Sequence, residues 1–152
     1  MTAKTKLRAA AIVLSAAFGS ALLVDRAAAD ETLTLVERAT SDTVTDLGAQ
    51  GDSAGDILTF ANEVFDKDNA NKVGSDNGWC ARTVVGKAWE CIWTLTLAEG
   101  QITVEGPFYD TADSVLAVTG GTGKYADATG TLALHARNDK GTEYDFVYTL
   151  KD

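Results

Sequence analysis

The sequence predicts an all-β protein that folds as an eight-stranded antiparallel β-barrel. Two observations lead to this fold. Glycine-containing turn signals separate short β-type segments, and no convincing helix lies between them, which is typical of barrels and sandwiches. The eight segments are 32–38, 56–66, 78–85, 88–98, 101–105, 114–119, 129–137 and 143–151.

The first 29 residues are interpreted as a secretory signal peptide. A basic start at 4–8 precedes an apolar run, and small residues at 27–29 provide a cleavage site. The run ends at Asp25, too early for the roughly 20 apolar residues of a transmembrane helix. We therefore expect residues 30–152 to form one secreted β-barrel domain that has no membrane association after cleavage.

The net charge of the mature chain limits the classes of molecule that it is expected to bind. Removing the signal segment takes away four of 13 Lys and Arg residues and one of 22 acidic residues, which leaves a net charge of about −12. Binding to nucleic acid or to anionic lipid depends on cationic contacts to phosphate. Nucleic acid is therefore excluded as an expected partner.

Turn residues support the boundaries between the segments. Gly86 lies in the turn between the segments 78–85 and 88–98, and Gly100 lies in the turn before 101–105. Glycine tolerates the backbone conformations of such tight hairpins. The stretch 42–55 is the longest irregular part of the domain, and its acidic and small residues predict a mobile loop over one end of the barrel.

In three segments, apolar residues recur at every second position. Neighbouring strand residues point to opposite sides, so these apolar residues share one face, which we expect to point into the barrel. Leu58 begins one such face, on which Asn62 is the one polar member. The aromatic residues on the inward faces are Phe60, Trp89, Trp93, Tyr144, Phe146 and Tyr148. They could line a ligand pocket, or they could fill a small barrel by themselves.

Cys80 and Cys91 are predicted to form a disulfide. The two residues fall directly opposite each other if the hairpin is centred between Val85 and Gly86. Cross-strand neighbours come close enough at Cβ for a disulfide, and an even pair of cysteines in an oxidising compartment is most simply read as one.

Asn62 and Arg82 are the two polar candidates for a site. A lone amide on an apolar face has four hydrogen-bonding positions to satisfy, so Asn62 either contacts a ligand or is satisfied by neighbouring backbone or water. Arg82 shares the parity of Cys80. It either anchors an anionic group of a ligand or pairs with an acidic loop residue near the barrel mouth.

No metal site or cofactor is expected from the sequence. His135 is the single histidine, too few for a zinc site of the usual kind. The GGTGKY segment at 120–125 lacks the spacing and the hydroxyl residue of a phosphate-binding loop.

Four segments together resemble the allene oxide cyclase family: GDILTFANEVFD, KVGSDNGWC, ITVEGPFY and LAVTGGTGKYADATG, at 55–66, 72–80, 102–109 and 116–130. Dirigent proteins share the fold and the glycine-rich turn, and bacterial Diels-Alder-type cyclases look like more distant relatives. The resemblance implies a lipocalin-like cup with an apolar cavity, often in a homotrimer. It implies no cofactor.

The resemblance also assigns residues. The family's pocket asparagine falls on Asn62 and its pocket cysteine on Cys80, which is available as a thiol only outside a disulfide. Phe108 replaces a family tyrosine, although Tyr109 follows it. The family's first strand and following loop supply a glutamate and an asparagine, and the matching region here reads Thr34, Val36 and Thr43.

Three functions are consistent with these patterns. The first is a cofactor-independent cyclase or isomerase acting on a hydrophobic oxylipin-like or polyketide-like chain, with Asn62 orienting an oxygen. The second is a dirigent-like or carrier barrel that binds a hydrophobic ligand without chemistry. The third is an interaction domain with a filled core. The expected pocket residues are Leu58, Phe60, Arg82, Trp89, Trp93, Phe108, Tyr109, Tyr144, Phe146 and Tyr148.

Overall fold

The structure, a computed structural model, describes residues 30–151. The predicted signal peptide at 1–29 lies outside these residues. The regular elements of the described part are nine strands: β1 (Glu31–Arg38), β2 (Thr43–Thr45), β3 (Ile57–Asp66), β4 (Lys72–Val84), β5 (Ala88–Leu97), β6 (Gly100–Tyr109), β7 (Ser114–Gly123), β8 (Thr129–Ala136) and β9 (Glu143–Lys151).

Eight of these strands close into an antiparallel barrel. The sheet order is β1-β9-β8-β7-β6-β5-β4-β3-β2, and an additional β1–β3 pairing joins its two ends. β1 pairs with β3 through 35–38 and 63–66. Short β2 pairs with the other part of β3, through 43–45 and 57–59. The predicted fold class is therefore confirmed.

The strands differ from the sequence prediction mainly in their lengths. β4 begins at Lys72 rather than at 78, because its first residues pair with both β3 and β5. β6 continues through Pro107 to Tyr109 and there pairs with β5, whereas its pairing with β7 stops at Glu105. A proline is tolerated in a strand part that is paired on one side. β2 is a short strand inside the stretch predicted to be irregular.

The barrel has two ends. We call the end where β1 finishes at Arg38 and β9 begins at Glu143 the upper end. The lower half is filled by inward aliphatic side chains, and burying each of them contributes about 1.5–3 kcal/mol. The fully buried ones include Val64, Leu95, Ile102, Val104, Leu116 and Leu132.

Close packing between the neighbouring strands β4 and β5 requires a glycine at position 78. A Cβ at this position would collide with the Cβ of Trp93, its partner on β5. The missing side chain lets β4 and the tryptophan approach closely.

Among residues 30–151, no helix has the length and apolar character that crossing a membrane requires.

Candidate functional site

A cavity lies inside the upper end of the barrel. Its volume is about 40 Å³, room for about two or three water molecules. Most of its wall is apolar, and two carboxyl side chains complete it. The lining residues are Glu37, Asp42, Leu58, Phe60, Cys80, Cys91, Trp93, Phe108, Leu134, Tyr144 and Phe146.

Three aromatic rings form a continuous part of this wall. The ring centroid of Trp93 lies 5.9 Å from those of Phe60 and Phe146. Phe60 meets the indole edge-to-face at 70°, and Phe146 lies nearly parallel to it at 30°. Such pairs stabilise their arrangement by about 0.5–1.5 kcal/mol beyond burial, so the three rings hold one another in place.

The predicted disulfide between Cys80 and Cys91 is present and forms another part of the wall. The two residues are direct partners on β4 and β5, with Cα atoms 4.0 Å apart. Because both sulfurs are bonded, the family's cysteine position holds no thiol here.

A larger outer hollow of about 390 Å³ lies above the inner cavity. The turns 110–113 and 137–142 provide most of its wall. Phe108, Leu134 and Tyr144 line both spaces. Phe108 and Tyr144 meet edge-to-face with their centroids 5.8 Å apart. We call these two rings the aromatic partition, because they separate the outer hollow from the inner cavity.

Asn62 ties β1, the following turn and β3 together. Its Oδ1 accepts the backbone N–H groups of Thr40 and Ser41, both at 3.0 Å, and the Ser41 hydroxyl at 2.9 Å. Its Nδ2 donates to Glu37 Oε1 at 2.8 Å and to Asp42 Oδ1 at 2.9 Å. The side chain is 2% exposed. All of its hydrogen-bonding positions are thus filled by the protein.

Glu37 and Asp76 place two carboxyl groups inside the barrel, 6% and 1% exposed. Burial raises the pKa of Glu37 well above its usual range, and the negative charge of Asp76 raises it further. Burial also raises the pKa of Asp76 to about 7. Desolvation disfavours the charged form, and two close carboxyls share protons as a pair. The pair therefore holds a proton at a higher pH than ordinary carboxyl groups do, and Asp76 titrates near neutral pH.

Several polar atoms beside this pair have no hydrogen-bond partner within residues 30–151. They are both carboxyl oxygens of Asp76, Nε1 of Trp93 and the hydroxyl of Tyr148. Burial raises the pKa of the Tyr148 phenol, so it stays protonated and is a potential donor. Burial likewise raises the pKa of Tyr144 to about 12. Buried donors as well as carboxyl acceptors therefore lie around the acid pair, and among them Trp93 and Tyr144 also line the inner cavity.

Arg82 is paired with carboxylates near the upper end. This arrangement agrees with the second interpretation given above, in which Arg82 pairs with an acidic loop residue. Its Nη1 lies 2.8 Å from both carboxylate oxygens of Asp110, and its Nε lies 2.6 Å from Asp52 Oδ1. Its guanidinium stacks 3.9 Å from the ring centroid of Trp89. Arg82 therefore joins the 42–55 stretch to the β6–β7 turn and faces two acids of the protein.

The predicted pocket residues fall into three groups. Leu58, Phe60, Trp93, Phe108, Tyr144 and Phe146 line the inner cavity together with Cys80. Tyr109 lines the outer hollow instead and is 41% exposed. Arg82, Trp89, Tyr148 and Asn62 are buried but belong to neither wall.

The sequence prediction missed both buried acids. The first strand was expected to lack an inward acid, and this is wrong, because Glu37 lies on the cavity wall. Leu33 and Leu35 alternate with it on the same face, and that pattern could have found it. Asp76 was missed because β4 was predicted to begin at 78. Counting back from Cys80 in steps of two would have placed Asp76 inside.

Within the part of the chain that the structure describes, no group of three His, Cys, Asp or Glu side chains is placed to hold one metal ion. His135 is exposed, and its Nδ1 lies 2.6 Å from Asp113 Oδ1.

Solved structures share this architecture. A pyocyanin demethylase is 28% identical, with a TM-score of 0.68 over 78% of this chain and 100% of that one. A pterocarpan synthase dirigent protein is 11% identical, with a TM-score of 0.64 over 82% and 95%. A Diels-Alderase from Streptomyces koyangensis is 12% identical, with a TM-score of 0.64 over 81% and 69%. The last two show likeness of fold alone.

The sequence model of the allene oxide cyclase family matches residues 34–147, which include six whole strands of the barrel (β3 to β8), the short strand β2, and most of β1 and β9. The matched range also contains the inner cavity, the disulfide and both buried acids. This chain therefore belongs to the allene oxide cyclase family.

Proposed function

We propose that the protein is a secreted, cofactor-independent cyclase or isomerase that acts on a hydrophobic small molecule in the inner cavity. An oxylipin-like or polyketide-like chain is the substrate class, with Diels-Alder-type ring closure included. One observation carries this proposal: the buried carboxyl of Glu37, whose pKa burial raises well above its usual range, lies on the wall of an otherwise mostly apolar cavity.

Glu37 is the proposed general acid and base. A carboxylic acid whose pKa is raised by burial keeps its proton at neutral pH and can lend it to a bound molecule. In an isomerisation the proton given to the substrate returns from the product, so no net proton is consumed. Asn62 then has a positioning role, because its Nδ2 donates to Glu37 Oε1 at 2.8 Å and holds the acid against the cavity.

The cavity wall supplies orientation. Holding a flexible chain in the shape that reacts lowers the barrier of an intramolecular step by roughly 7–11 kcal/mol in favourable cases. The rings of Phe60, Trp93 and Phe146 are fixed by contact with one another. A volume of about 40 Å³ admits a reacting group but not a whole chain, so the remainder of the substrate extends past the aromatic partition into the outer hollow.

The comparisons support a small-molecule role. The family is that of a cyclase, and the similar structures carry the names of a demethylase, a dirigent protein and a Diels-Alderase. These names describe proteins that act on small organic molecules in a barrel of this kind. They support the proposed class of activity without giving the substrate.

The test is a rate comparison. Residues 30–152 are incubated with panels of hydrophobic polyene and epoxide chains, and product isomers are separated by chromatography. We expect at least one substrate to isomerise faster than in buffer, and Glu37→Gln to reduce that rate by roughly 10²–10⁴-fold. Glu90→Gln makes the same substitution on the exposed face of β5 and should leave the rate unchanged. Equal rates with and without protein across the panels would refute the proposal.

A second candidate is a dirigent-like or carrier barrel that binds a hydrophobic ligand and returns it unchanged. This candidate is favoured by the state of the two residues that were first predicted to be catalytic. Asn62 has every hydrogen-bonding position filled by the protein, and Cys80 is held in a disulfide. Saturable quenching of tryptophan fluorescence with full recovery of intact ligand would support this candidate, and any product would exclude it.

Secretion and self-association are further parts of the proposal. A disulfide is typical of proteins outside the reducing cytosol, which supports secretion. Trp79 is 49% exposed on the outer face of β4, where a subunit contact of the homotrimer implied by the family would cover it. Mass spectrometry should find the secreted protein beginning at Asp30, and light scattering should give three times the chain mass. A full-length intracellular protein, or a monomer, would contradict the corresponding part.

A further inference from the structure

The polar part of the inner cavity contains carboxyl groups without a matching cation. Glu37 and Asp42 lie on the wall, and Asp76 lies close enough to raise the pKa of Glu37. Among the described residues, no Lys, Arg or His forms an ion pair with these three carboxyls. Arg38 stacks on a phenyl ring at 3.6 Å, and Arg82 is engaged by two other carboxylates.

The apolar part of the cavity is suited to the same kind of charge. The faces of aromatic rings carry partial negative charge and attract cations, most strongly when water is excluded. Five such rings line the inner cavity: Phe60, Trp93, Phe108, Tyr144 and Phe146. The carboxyl groups and the rings therefore favour a positive charge at the same place.

Asp76 adds to this acidic character, although it does not line the cavity itself. It is 1% exposed, its carboxyl oxygens have no N–H or hydroxyl donor within residues 30–151, and the carboxyl of Glu37 is close enough to share a proton with it. An unpaired buried carboxylate is costly unless a proton or a cation compensates it. The described side chains do not form a three-ligand metal site. A proton compensates the empty site, and a cationic ligand would do so in the occupied one.

We propose that the natural ligand of this cavity carries a positively charged nitrogen, as a quaternary or protonated amine or an N-heteroaromatic cation, on an aromatic or otherwise apolar body. The nitrogen lies between the aromatic rings and the carboxyls of Glu37 and Asp42. This inference rests on the proposed function, because it takes the inner cavity as the substrate site.

Cation binding is then coupled to proton release. The titratable groups facing Glu37 are Asp76 of β4, Asp42 of the turn after β1, and the phenols of Tyr144 and Tyr148 on β9. Burial raises the pKa of both phenols, so they do not ionise in the relevant range. A cation expels the proton shared by the carboxyl pair, so its affinity rises as the pH increases from about 5 to about 8.

A matched pair of probes tests the charge alone. 1-Methylquinolinium and 1-methylnaphthalene have the same bicyclic shape, and only the first is cationic. Their dissociation constants are measured by titration calorimetry on residues 30–152 near pH 5 and near pH 8. We expect the cation to bind at least about tenfold more tightly than the neutral probe near pH 8, with a smaller difference near pH 5.

Variants locate the effect. Glu37→Gln and, separately, Asp42→Asn should remove most of the preference for the cation while leaving neutral-probe binding within about twofold. Glu90→Gln makes the same substitution on the outer face of β5 and should keep the preference. Having two pocket variants guards against one that fails to fold, which circular dichroism detects.

Each outcome separates this inference from the proposed function. Equal binding of the two probes overturns the inference and leaves a hydrophobic substrate site intact. Loss of preference in Glu90→Gln as large as in Glu37→Gln also overturns it, because the attraction would then come from the overall charge. Absence of binding by either probe would refute the cavity as a ligand site, and the proposed function would fail with it.

Discussion

Replacing Asp76 by asparagine should change how the stability of the barrel depends on pH. In the folded protein burial raises the pKa of this carboxyl from 3.8 to about 7. Between these values the folded state holds a proton that the unfolded chain has released, so the free energy of unfolding falls as the pH rises. A shift of this size corresponds to about 4 kcal/mol. Asp76→Asn removes this contribution while keeping the size of the side chain.

The assay is urea unfolding followed by tryptophan fluorescence at a series of pH values from about 4 to about 8. Relative to Asp76→Asn, the wild type should lose roughly 4 kcal/mol of unfolding free energy across this range. Asp127→Asn, an exposed position on the turn after β7, serves as the matched control and should follow the wild type. If the wild type and Asp76→Asn gave parallel curves, the carboxyl would be ionised in the folded state, and the reasoning on the buried acid pair would be wrong.

Three other predictions follow from the same site. Asn62→Ala should lower the unfolding free energy by about 3 kcal/mol, because it leaves two backbone N–H groups without their acceptor; chemical denaturation measures this, and a loss below about 1 kcal/mol would contradict it. The Cys80→Ala, Cys91→Ala double variant should lose about 3 kcal/mol, since the bond closes a short loop between residues 11 apart; a stability equal to that of the oxidised wild type would refute this. Phe108→Ala should speed ligand association by removing half of the aromatic partition with Tyr144, as stopped-flow fluorescence would detect, and an unchanged association rate would show that ligands enter elsewhere.

The sequence predicted the barrel because alternation in its strands is regular. Trp89, Cys91 and Trp93 repeat on one side of β5, and the tight turn at Gly86 sets the register with β4. This register, together with an even pair of cysteines in a chain predicted to be secreted, predicted the Cys80–Cys91 bond. The same alternation predicted most of the inner cavity wall, since inward aromatic residues at the upper ends of strands converge when a sheet closes.

The charged part of the site was harder to predict. Glu37 and Asp76 are far apart in sequence, and nothing local indicates that β1 and β4 bring their carboxyls together across β3. Asn62 was recognised as unusual, but its partners lie on a turn whose path depends on the closure of the barrel. The role of Arg82 was decided by two loop acids, Asp52 among them, whose positions loop composition does not specify.

The seam between β1 and β3 has a consequence for how a guest larger than the inner cavity could be admitted. β1 is paired with β9 along eight residues but with β3 along four, 35–38. Two strands paired over so few residues separate more readily than the longer strand pairs of the barrel. Local opening of this kind exposes backbone amides to solvent. The hydrogen bond from Asn62 of β3 to Glu37 of β1 links the two strands at this point. Amide hydrogen exchange at 35–38 should therefore be faster than in β5 and should slow when a ligand is bound. This result would show that the barrel opens locally between β1 and β3 to admit a ligand.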